Sequence, residues 1–177
     1  MKTNILTCDR AKKIRLLILD VDGVLTDGKI YYNAHGEESK SFFTQDGLGL
    51  KLLQKQNIKQ AVITGRDDAC VAHRVKALGI DYYFSGISDK LEVFKTLLLE
   101  TGLKADECAY IGDDIVDLPV MTRVGLAVAV ANAHLSVKCC AHYTTNAAGG
   151  LGAVRELCEL ILNVQDKWHD ILGGYLK

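Results

Sequence analysis

Four short apolar runs constrain this chain most: residues 16–19 (LLIL), 59–63 (KQAVI), 107–111 (ECAYI) and 126–130 (LAVAV). None shows the apolar/polar alternation of a half-solvated strand. Near-continuous apolar runs of strand length belong to strands covered on both faces, as in a parallel sheet. The segments between them are amphipathic with helical spacing. Residues 46–56 place Leu48, Leu52 and Leu53 on one stripe, residues 67–78 place Cys70, Val71, Val75 and Leu78, and residues 89–101 place Leu91, Phe94, Leu97 and Leu98. Gly79 and Gly102 stand where helix C-caps belong, a further helix is expected over 153–164, and Pro119 suits a first helical turn. The β-α-β-α alternation predicts an α/β fold, a doubly wound Rossmann-like parallel sheet.

The chain has 177 residues, 49% of them hydrophobic, and no internal repeat or linker-like stretch, so one domain over residues 1–177 is expected. A net charge of -1 argues against a nucleic-acid surface. No apolar run approaches the ~18 residues of a spanning helix, and the first residues lack the apolar core of a secretory signal, so the expected setting is cytoplasmic, with no membrane partner. The six cysteines include no CxxC pair. Cys70-x-x-His73 and Cys139-x-x-His142 are incomplete as zinc signatures, so the cysteines read as small hydrophobes in a reducing compartment.

One stretch departs from the alternation. Residues 28–43 (GKIYYNAHGEESKSFF) read as two short strands around a polar turn at 33–37. Ile30 and Tyr32 fall on one face and Tyr31 on the other, so this hairpin insertion is apolar on both sides. It either folds onto its own domain or is buried against another subunit. A lone two-stranded hairpin is marginal in water, which favours the second.

The polar residues that carry chemistry follow the apolar runs. Asp20 and Asp22 come after the first, Thr64-Gly65-Arg66 after the second, and Gly112-Asp113-Asp114 with Asp117 after the third; Lys90 stands in Ser88-Asp89-Lys90, at the start of a helix. In an open α/β sheet, ligands bind outside the carboxyl ends of the strands. Clustered carboxylates repel unless a cation neutralises them, and oxygen ligands with room for phosphate suit Mg²⁺ beside Asp20 and Asp113. Asp20 is then placed to attack a phosphoryl group, Asp22 to protonate the leaving oxygen and activate water, and Thr64 and Lys90 to hold the phosphoryl oxygens. Any one of these short motifs occurs by chance; their order and shared placement make the set specific.

The set Asp20-x-Asp22-Gly23, Thr64-Gly65-Arg66, Lys90 and Gly112-Asp113-Asp114-x-x-Asp117 resembles the four motifs of the haloacid dehalogenase (HAD) superfamily of phosphotransferases. DVDGVLTDG, the hairpin, QDGLGL, TGR, RVKALGI, SDK, GDDIVDLPVM and AGGLGAVRE further resemble the 3-deoxy-D-manno-octulosonate 8-phosphate (KDO 8-phosphate) phosphatases, over residues 14–165. The resemblance implies Asp20 as nucleophile and metal ligand, Asp22 as acid/base with its backbone carbonyl a second ligand, Asp113 as the third ligand with Asp114 and Asp117 in support, and Thr64 and Lys90 as phosphate-binding groups. It implies Mg²⁺ as cofactor and a sugar-acid phosphate as substrate, in a step that feeds lipopolysaccharide synthesis. Arg66, beside Gly65, and Arg74 match arginines of the family and are expected to hold the sugar-acid carboxylate in a guanidinium fork. Arg74 reads equally as a solvated helix-face residue.

Many HAD enzymes carry a cap domain over the substrate. Neither the gap from Gly28 to the helix near Asp46 nor that from Thr64 to Lys90 is long enough for one. The resemblance implies instead a homotetramer with hairpins packed centrally and the tail, residues 166–177, reaching a neighbouring site. The stretch Gly149-Gly150-Leu151-Gly152 reads either as a plain loop or as part of the active-site mouth. The alternatives to a KDO 8-phosphate phosphatase are a phosphatase of a related nine-carbon sialic-type acid phosphate and a catalytically inactive HAD-fold binding module.

Overall fold

The computed structural model describes residues 5–177. Its strands are β1 (Leu16–Leu19), β2 (Tyr31–Tyr32), β3 (Glu38–Ser39), β4 (Lys59–Ile63), β5 (Tyr82–Phe84), β6 (Cys108–Gly112), β7 (Leu126–Ala129) and β8 (Tyr143–Thr144). Its helices are α1 (Ile5–Ala11), α2 (Thr44–Lys55), α3 (Ala69–Leu78), α4 (Lys90–Thr101), α5 (Leu118–Met121), α6 (Leu135–Cys140), α7 (Ala153–Val164) and α8 (Trp168–Tyr175).

The four apolar runs form the centre of a six-stranded sheet of order β5-β4-β1-β6-β7-β8, and every pairing in it is parallel. All residues of β1, β6 and β7 are buried, as expected where helices cover both faces. The chain winds outward from β1 through β4 to β5, then returns to β6 and winds the other way. The reversal opens a crevice at the carboxyl ends of β1 and β6. Register places Leu19 opposite both Val62 and Ile111, so the polar residues that follow β1, β4 and β6 emerge at one level.

The helices end where their caps dictate. Asp68 accepts from the amides of Cys70 and Val71 and so sets the start of α3, two residues later than the apolar spacing suggests. Gly79 and Gly102 close α3 and α4 at φ of 70° and 67°, in the left-handed region that disfavours a Cβ. Pro119 sits in the first turn of α5, where its missing N–H costs nothing.

Helices α2 and α7 meet closely at Gly49, where an added Cβ would stand 3.1 Å from Arg155 Cδ and 3.2 Å from Cys158 Cβ. Around it Leu50, Leu53, Leu157 and Ile161 are completely buried. Each such side chain contributes roughly 1.5–3 kcal/mol by leaving water. The contact is tied by a polar link: Asp46, in the first turn of α2, accepts from the Arg155 amide at 2.7 Å and so caps α7 from outside that helix.

The hairpin forms as expected, β2 and β3 pairing antiparallel with Tyr31 opposite Ser39. Ile30, Tyr31 and Tyr32 are 53%, 41% and 64% exposed, so none of the three apolar side chains is buried by the described residues of the chain. The Tyr31 hydroxyl donates to Asp27 at 2.6 Å. Only Phe42, beyond β3, packs back against the core. Between Thr64 and Lys90 stand only α3 and β5, so among the described residues no separate cap covers the crevice. Among the described residues no helix is long and apolar enough to cross a membrane. Trp168 opens α8 and packs on the core, with the Arg155 guanidinium 5.4 Å from its ring centre.

Candidate active site

The crevice holds a cleft of about 370 Å³ lined by Asp20, Asp22, Thr64, Arg66, Lys90 and Asp113, with Gly65, Ser88 and Asp114 at its edge. Asp20 leaves β1 with its amide donating to the Ile111 carbonyl at 3.1 Å, so the sheet register continues into the site. Thr64 is 2% exposed at the end of β4. Lys90 is the first residue of α4, whose start Asp89 fixes by accepting from Leu91 N and Glu92 N.

At the floor of the cleft the Lys90 ammonium donates to Asp20 Oδ1 at 2.6 Å and to Asp117 Oδ1 at 2.8 Å. Tyr110, fully buried on β6, donates its hydroxyl to Asp117 Oδ1 at 2.7 Å. The other oxygen of Asp117 accepts from the amides of Asp113 (3.0 Å) and Asp114 (3.3 Å). Asp117 is thus committed on both oxygens. It anchors Lys90 from behind and shapes the turn that presents Asp113. Asp114 caps that turn, accepting from Ile115 N at 2.7 Å.

The electrostatics are unbalanced. Carboxylate oxygens of Asp20, Asp113 and Asp117 lie within 4.8 Å of one another. One ammonium, Lys90, faces them. Burial pushes the Asp113 carboxyl up to about 7, and the charges of Asp20 and Asp117 push the same way. Asp20 is likewise raised by burial and by Asp117, against the pull of Lys90. Burial works to lower the Lys90 pKa, but Asp20 and Asp117 outweigh it and the net shift is upward, so the lysine stays charged. Three carboxylates against one ammonium leave a deficit that a divalent cation would balance. With Asp117 already committed, Asp20 and Asp113 are the carboxylates free to hold it, and oxygen-only donors suit a hard cation. Gly23 makes room for this arrangement: a Cβ there would fall 2.0 Å from Asp113 Oδ2.

The carboxylate of Asp22 turns away from this triad and pairs with Lys40, which follows β3. Arg66 lines the cleft and pairs with Glu38 of β3 at 2.5 Å. Of the residues expected at the site, Arg74 alone is not brought to it. Helix α3 turns Arg74 toward α2, where it lies 5.8 Å from the Phe42 ring and against Gly47. There it lines a separate, mostly apolar hollow with Phe42, Cys70 and His73.

Residues 149 and 150 pack on the loop after β1. An added Cβ on Gly149 would stand 1.6 Å from the Gly23 carbonyl oxygen, and one on Gly150 2.4 Å from the backbone of Asp27. The Gly150 amide donates to the Val24 carbonyl at 2.9 Å. This loop is the backing of the segment that carries Asp20 and Asp22. The cysteines are all free, and none stands in the cleft.

Lys40, Glu38 and Tyr110 are the polar residues of the site that sequence reasoning missed. Tyr110 lay in plain view inside an apolar run, where a single hydroxyl was the only signal. Lys40 carried none, because its value depends on the hairpin folding back over 18 residues to Asp22.

Comparison with known proteins agrees with this geometry. Residues 84–156 match the family model of haloacid dehalogenase-like hydrolases. The chain is 49% identical to a 3-deoxy-D-manno-octulosonate 8-phosphate phosphatase of Yersinia pestis, over 93% of this chain and 88% of that protein. The crystal structure of a Yersinia pestis phosphatase of that name superposes with a TM-score of 0.91 at 48% identity, covering 93% of this chain and 89% of the other. The Moraxella catarrhalis phosphatase of that name, in complex with a magnesium ion, a phosphate ion and KDO, superposes with a TM-score of 0.93 at 42% identity, covering 96% and 97%. The chain belongs to the 3-deoxy-D-manno-octulosonate 8-phosphate phosphatase family of haloacid dehalogenase-like hydrolases.

Proposed function

We propose that this chain is a Mg²⁺-dependent phosphatase that hydrolyses KDO 8-phosphate to KDO and phosphate, a step toward lipopolysaccharide precursors in the cytoplasm. The observation that carries the reading is the held geometry of Asp20. Lys90 fixes one carboxylate oxygen at 2.6 Å, and Thr64, Asp22 and Asp113 stand around the cleft into which Asp20 faces.

Asp20 and Asp113, with the backbone carbonyl of Asp22, would hold Mg²⁺, which when bound neutralises charge on the phosphoryl group and on the carboxylates. Asp20 attacks phosphorus: an Asp20 oxygen–phosphorus bond forms and the bond to the sugar's primary oxygen breaks. Asp22 gives that departing oxygen its proton. Asp22 then takes a proton from a water whose oxygen bonds to phosphorus, and the bond to Asp20 breaks, returning the carboxylate. Lys90 and Thr64 supply charge and a hydroxyl to the phosphoryl oxygens as they are transferred. Arg66, 43% exposed at its side chain, has the reach and the fork for the sugar-acid carboxylate. Arg74, set against Phe42, is left out of that role.

We read the hairpin and the tail as extensions of one phosphatase domain that assembles as a homotetramer. The exposed Ile30, Tyr31 and Tyr32 support this, since self-association would cover them. The tail helix, with Leu172, Tyr175 and Leu176 exposed, is the segment we assign to a neighbour's cleft.

Phosphate release across a panel of sugar-acid phosphates, with Mg²⁺ and with excess chelator, tests the proposal. KDO 8-phosphate should be the best substrate, and the chelator should stop its turnover. Preference for a nine-carbon acid phosphate would reassign the substrate, and no release from any member would support an inactive binding module.

A further inference from the structure

Lys40 is a lysine with no place in the four motifs, yet its side chain is only 3% exposed. Ammonium groups are rarely buried this far without partners. Here the partners come from three separate segments. Asp22, on the loop after β1, makes the closest contact with its Nζ. Glu38, on β3, is 3.7 Å away, and Asp68, the cap of α3, is 3.6 Å away. Glu38 Oε1 has no other polar partner, so its contact with Lys40 is what compensates it. Asp22 is the most exposed of the three acids, with 32% of its side chain open against 20% for Glu38 and 13% for Asp68. Among the described residues Lys40 makes the only hydrogen bond to the Asp22 carboxylate, whereas without it Glu38 keeps Arg66 and Asp68 keeps two helix amides.

The geometry points to Lys40 as the positioning residue for Asp22: the hairpin inserts a buried ammonium, braced by Glu38 and Asp68, that holds the acid/base carboxylate at the cleft. This rests on the phosphatase reading of Asp22 given above. It makes the hairpin part of the catalytic apparatus of its own chain, separate from any role in assembly. Lys40 does not itself line the cleft, so its effect passes through the acids it holds: Asp22 directly, with Glu38, the partner of Arg66, as the route that the double variant below separates from it.

The consequence is a dependence on the leaving group. A sugar alkoxide needs a proton as it departs; a nitrophenolate does not. Misplacing a catalytic group by about 1 Å can cost ~10²-fold. Lys40→Met, close in length and without charge, should therefore lower kcat/KM for KDO 8-phosphate by roughly 30- to 100-fold. It should leave kcat/KM for p-nitrophenyl phosphate near wild type, which also reports that the fold and Asp20 survive. Asp22→Asn should lower kcat/KM for KDO 8-phosphate at least as far, and it should slow turnover of both substrates, because Asp22 also activates the water. Adding Lys40→Met to Asp22→Asn should cost nothing further, because both act through one carboxylate. Equal loss of kcat/KM on both substrates in Lys40→Met, no loss on either, or additive losses in the double variant would each overturn the assignment. If the wild type fails to hydrolyse KDO 8-phosphate, the substrate reading falls. The same ratio is then measured on the primary alkyl phosphate that the wild type cleaves best, so the two failures stay distinct.

Discussion

Gly149 lies against Gly23 so closely that a Cβ on the first would stand 1.6 Å from the carbonyl oxygen of the second. The contact joins the loop before α7 to the segment that carries Asp20 and Asp22. It is backbone on backbone, so no rotamer change can relieve an added methyl. Gly149→Ala should destabilise the protein by about 1–3 kcal/mol, the usual cost of overpacking. It should also lower turnover, because Gly23 in turn abuts Asp113. Urea denaturation and phosphate release on the same preparation check this; unchanged values in both would show that the two loops are free to separate.

Arg66 gives a prediction about selectivity. Its guanidinium holds Glu38 at 2.5 Å and lines the cleft. If it binds the sugar-acid carboxylate, Arg66→Ala should reduce kcat/KM for KDO 8-phosphate far more than for an aryl phosphate, which has no carboxylate. The loss of a charged hydrogen-bond partner is worth about 1.5–3 kcal/mol, or roughly 10- to 150-fold. Equal damage to both substrates would place Arg66 on the phosphate or in the scaffold.

Asp46 gives a prediction about pH. Burial raises its carboxyl to about 6, against amide and arginine interactions that lower it. One of its oxygens caps α7, and the other has no polar partner. Between the unfolded value near 3.8 and about 6 the folded state holds a proton that the unfolded state has released, so stability falls as pH rises through that interval. The full span is about 3 kcal/mol. Asp46→Asn keeps an acceptor for the Arg155 amide and removes the titration. The stability difference between variant and wild type should therefore shift in the variant's favour from pH 3.5 to 6.5, then level off. A difference independent of pH would contradict the assignment.

The hairpin gives a prediction about assembly. If the chain assembles as the proposed homotetramer, replacing Tyr31 and Tyr32 together with Ser should dissociate it and lower activity, because their exposed rings are the surface available for burial. Sedimentation velocity decides it, and a wild-type monomer that is active at micromolar concentration would defeat the proposal.

The sheet and the motif positions were legible in the sequence for one reason. Strands buried on both faces leave uninterrupted apolar runs, and in a parallel sheet their carboxyl ends share one level, so the sequence alone brings Asp20, Thr64 and Asp113 together. Contacts that depend on tertiary closure were not legible. Lys40 reaches Asp22 only because the hairpin folds back, and Gly149 meets Gly23 from a loop far along the chain. The rotation of α3, which turns Arg74 to Phe42, follows from how that helix packs on α2. The short peripheral elements α1, α6 and β8 carry too few residues for a periodic signal.

The central claim is that the Asp20 carboxylate, held by Lys90, is the nucleophile. Asp20→Asn keeps the shape of the side chain and removes the attacking charge. The direct test is phosphate release from KDO 8-phosphate with saturating Mg²⁺, comparing wild type with the folded Asp20→Asn protein. The account predicts turnover by the wild type and none above the blank by the variant. Substantial release by the variant would contradict it.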